Sequence, residues 1–164
     1  MAPQPSNTGS PRSTNRLDEI AAEFADLEPR ERLELLLDFA ENLPPLPPQY
    51  AAERDAGNHR VHECQTPVYL WVELCDGRVR IVADVAPEAP TVKGFVAIVA
   101  EAFSGATPEE VLAVKSNVVQ QLGLVEALGM VRMRGLNAIL HYIRERVRKA
   151  AESNGHAGAG QGGR

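Results

Sequence analysis

Cys64 stands in Val61-His62-Glu63-Cys64-Gln65-Thr66-Pro67-Val68, where an irregular stretch runs into the clearest strand pattern of the chain. A thiol at such a junction can be held at the mouth of a sheet, within reach of a partner, rather than in its core. The thiolate is the nucleophile, and an unperturbed pKa near 8.5 leaves about one thiol in thirty ionised at neutral pH. His62 and Arg60 are the neighbouring groups able to favour the thiolate. A residue two positions away on an extended chain points the same way but need not touch. Glu63 opposes ionisation if its carboxylate is close. Against a reactive role stands the packing habit of free cysteine, which is among the most buried residue types.

Other chemistry is poorly provided for. Two cysteines eleven apart and four scattered histidines match no structural zinc spacing. An iron–sulfur cluster usually takes about four protein ligands, mostly cysteines. No metal and no cofactor is therefore expected on this chain. It carries no Ser/His/Asp pattern, phosphate-binding loop or dinucleotide fingerprint. Arg132 and Arg134 read as surface or partner-contact groups, and His141 as a structural or surface residue.

The net charge of −5 argues against nucleic-acid binding, since backbone binding needs an excess of Lys and Arg. No apolar run reaches the roughly 18 residues of a membrane span. Met1 to Asn15 has no secretory pattern. A reduced cytoplasm is the expected compartment, and a Cys64–Cys75 bridge is disfavoured by the strand pattern between them.

The elements that must position Cys64 follow from periodicity. Residues 1–15 and 154–164 are polar or Gly-rich and read as disordered tails around a single domain, 16–153. Leu17 to Phe24 reads as a short helix. Pro29 suits the first turn of a second one, with Leu33, Leu36, Leu37, Ala40 and Leu43 as its apolar stripe. Residues 44–60 form a long connection with a helical turn near Gln49 to Arg54.

Asp76-Gly77 is a type I′ hairpin signal. It predicts Cys75 facing Arg78, Leu74 facing Val79, Glu73 facing Arg80 and Val72 facing Ile81. Val68, Leu70, Val72, Leu74, Val79 and Ile81 then share one face, and Cys75 points to the more polar one. Trp71 lies on that polar face too, so something must cover it, most simply a helix. Thr91 to Phe103 is apolar nearly all round, the pattern of a buried helix. Gly94 inside it implies close approach of a neighbouring backbone. Thr107-Pro108-Glu109-Glu110 is a capped helix start. Short helical pieces are expected over 118–128 and a long final helix from Met133 to about Glu152. Helices around a small antiparallel sheet make an α+β fold.

Taken in order, these segments resemble the SufE family. The family signature places a cysteine in a Val-x-Gly-Cys-Gln-Ser-x-Val-Trp segment entering a strand. Here it reads Val61 to Tyr69. An acidic residue before an Ile-Val-Lys-Gly-Leu helix is matched by Glu88 ahead of Thr91-Val92-Lys93-Gly94-Phe95. Thr107 to Glu110, Leu122-Gly123-Leu124, Leu43-Pro44 and Arg132-Met133-Arg134-Gly135-Leu136 match further family segments. The likeness covers about residues 17–150.

The resemblance implies a sulfur carrier with a SufE/iron–sulfur scaffold-like fold. Cys64 would accept persulfide sulfur from a pyridoxal-phosphate cysteine desulfurase of the SufS type, stimulate that enzyme, and deliver sulfur to an iron–sulfur scaffold complex. The protein would be a co-substrate that binds no cofactor itself, as a monomer or homodimer. Gln65, Thr66, Glu88 and Arg132 would support the loop or contact the partner. The departures are local. Glu63 replaces a glycine and Thr66 a serine. Pro67 stiffens the exit into the strand. Tyr69 replaces a tryptophan, with Trp71 two residues on. An adaptor of the same fold that no longer carries sulfur is the alternative that Glu63 favours.

Overall fold

Asp76 and Gly77 both have positive φ, 54° and 76°, as a two-residue type I′ turn requires. They join β1 (Val68–Cys75) to β2 (Arg78–Val85) in one antiparallel pair. The register runs from Cys75↔Arg78 through Glu73↔Arg80 to Val68↔Val85, as the turn predicts. The computed structural model describes residues 12–115 and 117–159.

Around the hairpin lie eight helices of the described residues: α1 (Arg12–Ala25), α2 (Pro29–Glu41), α3 (Ala51–Asp55), α4 (Pro90–Phe103), α5 (Pro108–Ala113), α6 (Val118–Gln121), α7 (Leu124–Leu128) and α8 (Met130–Ala159). The result is the expected α+β architecture. Helical backbone enters both segments read as tails, from Arg12 onward and up to Ala159. Residues 1–11 and 160–164 of those segments lie outside the described residues.

The strand face carrying Val68, Leu70, Val79 and Ile81 is buried in the core. Trp71, on the opposite face, is only 3% exposed. Its cover is not one long helix. The rings of Tyr50 and His59 lie 5.1 and 5.3 Å from it, supplied by a 3-10 turn at Pro48–Tyr50 and by the segment after α3. The Tyr50 hydroxyl donates to the Glu73 carboxylate. That bond, helped by burial, raises the Tyr50 pKa above its ordinary 10.0.

Helix α4 is the central element, packed on β2, α1 and α2. A methyl group at Gly94 would stand 2.2 Å from the Leu36 carbonyl oxygen, so α2 and α4 touch backbone to side there. Helix α2 turns a slightly different face inward than its leucines suggest. Phe39 is buried beside Leu36 and Ala40, while Leu33 and Leu37 are only partly so. The ring of Phe39 stacks on Phe24 of α1 at 6.3 Å.

Thr107 caps α5 in a capping box with Glu110. Arg32 ties three elements. Its Nε donates to the Phe24 carbonyl over 3.0 Å and its Nη1 to that of Gly123 over 3.1 Å. Helix α8 starts three residues before Met133 and buries Leu136, Ile139, Leu140, Ile143 and Val147. Its first turns run past the end of the hairpin from which Cys64 hangs.

Candidate functional site

Cys64 lies in a short loop with pinned ends. The Val61 N–H donates to the Val68 carbonyl over 2.9 Å, and the Leu70 N–H to that of His59 over 2.9 Å. Arg60 pairs with Tyr69 as an antiparallel bridge. Residues 59–61 thus extend the sheet beside β1, and residues 62–67 form the loop between. Val61 and Val68, both fully buried, anchor its ends in the core. Within the loop the Cys64 N–H donates to the Val61 carbonyl over 3.3 Å, a turn that folds the thiol inward.

The thiol is in the core's edge, not on the surface. Cys64 is 5% exposed and belongs to the hydrophobic core cluster. His62, Glu63 and Gln65 around it are exposed, and Thr66 is half-buried. The loop therefore presents its polar side chains outward and its cysteine inward. Glu63 is not among the residues with positive φ, so it occupies the family's glycine position without backbone strain.

Three other segments reach the loop. The Ala86 N–H, just past β2, donates to the Pro67 carbonyl over 3.2 Å. The following turn holds Glu88, which is exposed and makes no ion pair among the described residues. Thr91 opens α4 and is buried. Its Oγ1 accepts from Nη1 of Arg132 in the first turn of α8, at 3.1 Å. One turn on, the Cβ position of Gly135 lies 3.7 Å from Cys64 Sγ.

The expected site residues thus gather at one end of the hairpin, with two qualifications. Glu88 and Arg132 do not touch each other. Arg132 binds Thr91 instead, a partner that no sequence motif points to. Gly135 belongs to the Arg132-to-Leu136 segment, and its place in a helix interior is the signal that could have singled it out. Cys75 is exposed at the opposite end of β1, eight residues of strand away, about 25 Å at 3.3 Å per residue. A disulfide needs Cα atoms within about 7 Å, so the two cysteines do not bridge.

A cavity of about 720 Å³ opens elsewhere, between Leu43, Pro44 and Pro47, the outer edge of β2 and Glu101 of α4. Neither the Cys64 loop nor α8 lines it. No helix among the described residues is long and apolar enough to cross a membrane.

A thiol under a loop, next to two helix starts, is arranged to be covered at rest. Residues 18–147 match a family model described as "SufE: Fe-S metabolism associated domain". A SufE-like protein of Mycobacterium tuberculosis is 36% identical over 135 residues, spanning 82% of this chain and 92% of that protein. The chloroplastic SufE-like protein 2 of Arabidopsis thaliana is 31% identical over 115 residues, or 69% of this chain and 42% of that one. The solution structure of a hypothetical protein from Thermus thermophilus superposes with a TM-score of 0.71 at 37% identity, covering 84% of this chain and 96% of that chain.

Proposed function

Because the chain belongs to the SufE family, whose domain is associated with Fe–S metabolism, we propose that Cys64 accepts sulfur from a pyridoxal-phosphate cysteine desulfurase and hands it on to an iron–sulfur scaffold. The observation that carries this reading is the placement of Cys64, at the tip of a pinned loop that exposes its polar residues and tucks its thiol against α8.

The chemistry is thiol exchange. The Cys64 thiolate attacks the outer sulfur of the donor persulfide. The new S–S bond forms on Cys64, the donor's S–S bond breaks, and the donor cysteine leaves as thiolate. The outer sulfur moves at the oxidation level it already has, so no external oxidant or reductant enters. Delivery repeats the step, with an acceptor thiolate attacking the outer sulfur on Cys64. At 5% exposure the thiol must come out of its seat to react. The anchors Val61 and Val68 stay while residues 62–67 swing. Gln65 and Thr66 face the partner in that motion, and Glu88 and Arg132 border it. Pyridoxal phosphate stays on the desulfurase, and a reducing cytoplasm keeps the carrier thiol free.

The test is intact-protein mass after incubation with a cysteine desulfurase, pyridoxal phosphate and cysteine, comparing wild type with Cys64→Ser. A gain of about 32 Da per sulfur on wild type alone is expected. Glu63, a carboxylate next to the thiol in sequence, favours one alternative, an adaptor that binds the desulfurase without carrying sulfur. No mass gain with a competent desulfurase would sink the carrier reading and leave that alternative.

A further inference from the structure

Gly94 lies inside α4 and Gly135 inside α8, and only the first is explained by packing. At Gly94 a methyl group would run into the Leu36 backbone at 2.2 Å. At Gly135 it would meet a single atom within 4 Å beyond its own helix turn, Cys64 Sγ at 3.7 Å, which is ordinary van der Waals contact. Nor is Gly135 among the glycines with positive φ. Neither backbone conformation nor packing of the thiol form calls for glycine there. Yet glycine costs a helix about 1 kcal/mol relative to alanine.

The empty place has a use once sulfur is loaded. A persulfide adds an atom about 2.05 Å from Sγ. Cys64 is 5% exposed, so open solvent offers that atom little room while the loop is closed. Outside the backbone of its own helix turns, no other heavy atom lies within 4 Å of the Gly135 Cβ position. On the line from Sγ to the missing methyl group, an outer sulfur would stand less than about 2 Å from a methyl carbon, far inside the 3.5–4.0 Å of normal contact. With glycine the nearest atom on that line is its own Cα, a bond length of about 1.5 Å further off, and a small tilt of the S–S bond brings the outer sulfur to normal contact with it.

We infer that Gly135 is a positioning residue that keeps room for the outer sulfur of a Cys64 persulfide beneath the closed loop. The inference rests on the reading of Cys64 as a persulfide carrier. The seat makes the loaded form closable. The outer sulfur lies against α8, sheltered from reductants, until a partner draws the loop out. A methyl group at position 135 leaves the thiol form intact and forces the persulfide outward.

The test uses the full chain carrying Cys75→Ser, so that Cys64 is the only thiol, with and without Gly135→Ala. Each protein is loaded by a cysteine desulfurase with cysteine and, separately, by glutathione persulfide. Loss of the added sulfur in dithiothreitol is then followed by intact mass. Gly135→Ala is expected to melt at the same or a higher temperature as the thiol, and to lose its sulfur about fivefold faster or more. Gly135→Val should lose it faster still. Equal decay rates in the glycine and alanine proteins would overturn the inference. So would a clear drop in the melting temperature of the Gly135→Ala thiol form, which would make the glycine structural. Failure of the carrier reading looks different: the Gly135 protein itself gains no mass from either donor. A gain from glutathione persulfide but not from the desulfurase would remove the enzyme partner and leave the seat standing on its decay rates.

Discussion

Nη1 of Arg132 donates to Oγ1 of Thr91 over 3.1 Å, joining the first turn of α8 to that of α4. Thr91 is buried although polar, while Arg132 comes from an exposed position. The bond clasps two helix starts around the loop that carries Cys64. Arg132 is exposed but its partner Thr91 is buried, so Arg132→Ala should cost about 1 kcal/mol of folding stability. Its larger effect should fall on the rate of persulfide acceptance. If the clasp is the cause, Thr91→Val lowers that rate by a similar factor and the double variant is no worse than either single one. Additive losses would show that Arg132 acts on the partner directly.

The two cysteines differ in access, not only in place. Cys75 is exposed beside the hairpin turn, and Cys64 is covered by its own loop. In the folded protein, iodoacetamide should label Cys75 first and Cys64 only when residues 62–67 open. Each ~1.4 kcal/mol of opening free energy slows that second reaction about tenfold. Mass spectra over time should therefore show one adduct, then a slow second, with both arriving together in urea. Addition of a cysteine desulfurase without cysteine should change the order of labelling if the partner draws the loop out. Equal rates in the free protein would show that the loop is open at rest.

Gly94→Ala and Gly135→Ala should move stability in opposite directions. Alanine gains about 1 kcal/mol over glycine in a helix. At Gly94 that gain is outweighed, because the obstacle at 2.2 Å is a backbone oxygen that cannot rotate away. The net cost should be about 2 kcal/mol, within the usual range for overpacked cores. At Gly135 the gain stands. Urea unfolding of both variants as thiols checks the contrast, and a stable Gly94→Ala would mean that α2 and α4 can separate without penalty.

What can be read from the sequence, and what cannot, divides along the range of the interactions. The hairpin register follows from Asp76-Gly77, since a two-residue turn leaves no freedom of pairing. The contact at Gly94 follows from a glycine inside an apolar helix. Both are local signals with one physical solution. The leucines of α2 misplace its buried face, because Leu37 and Phe39 are both apolar and only the stacking on Phe24 decides between them. Trp71 announces that it needs cover, but Tyr50 and His59 come from an irregular stretch with no periodicity to read. The inward turn of Cys64 is equally hidden. It depends on Val61 and Val68 closing the loop and on a glycine 71 positions later, and no local pattern carries a contact of that span. The Arg132–Thr91 clasp belongs to the same class.

Met130 and Val131, 70% and 80% exposed, are the exposed large apolar side chains among the described residues. They open α8 directly ahead of Arg132, one turn before Gly135 and the thiol. Single exposed apolar residues are ordinary, and larger exposed apolar patches are where partners bind. Under the proposed function a desulfurase must approach this end of the molecule to reach Cys64. Met130→Ser with Val131→Ser should leave the melting temperature close to wild type, since neither side chain is buried. The concentration of carrier needed for half-maximal sulfur uptake should rise about tenfold, the loss of ~1.4 kcal/mol of binding, with the rate at saturation unchanged. Uptake from glutathione persulfide, which needs no protein contact, should be the same in both. A drop in both assays would place the effect on the loop rather than on docking, and no change in either would remove the pair from the interface.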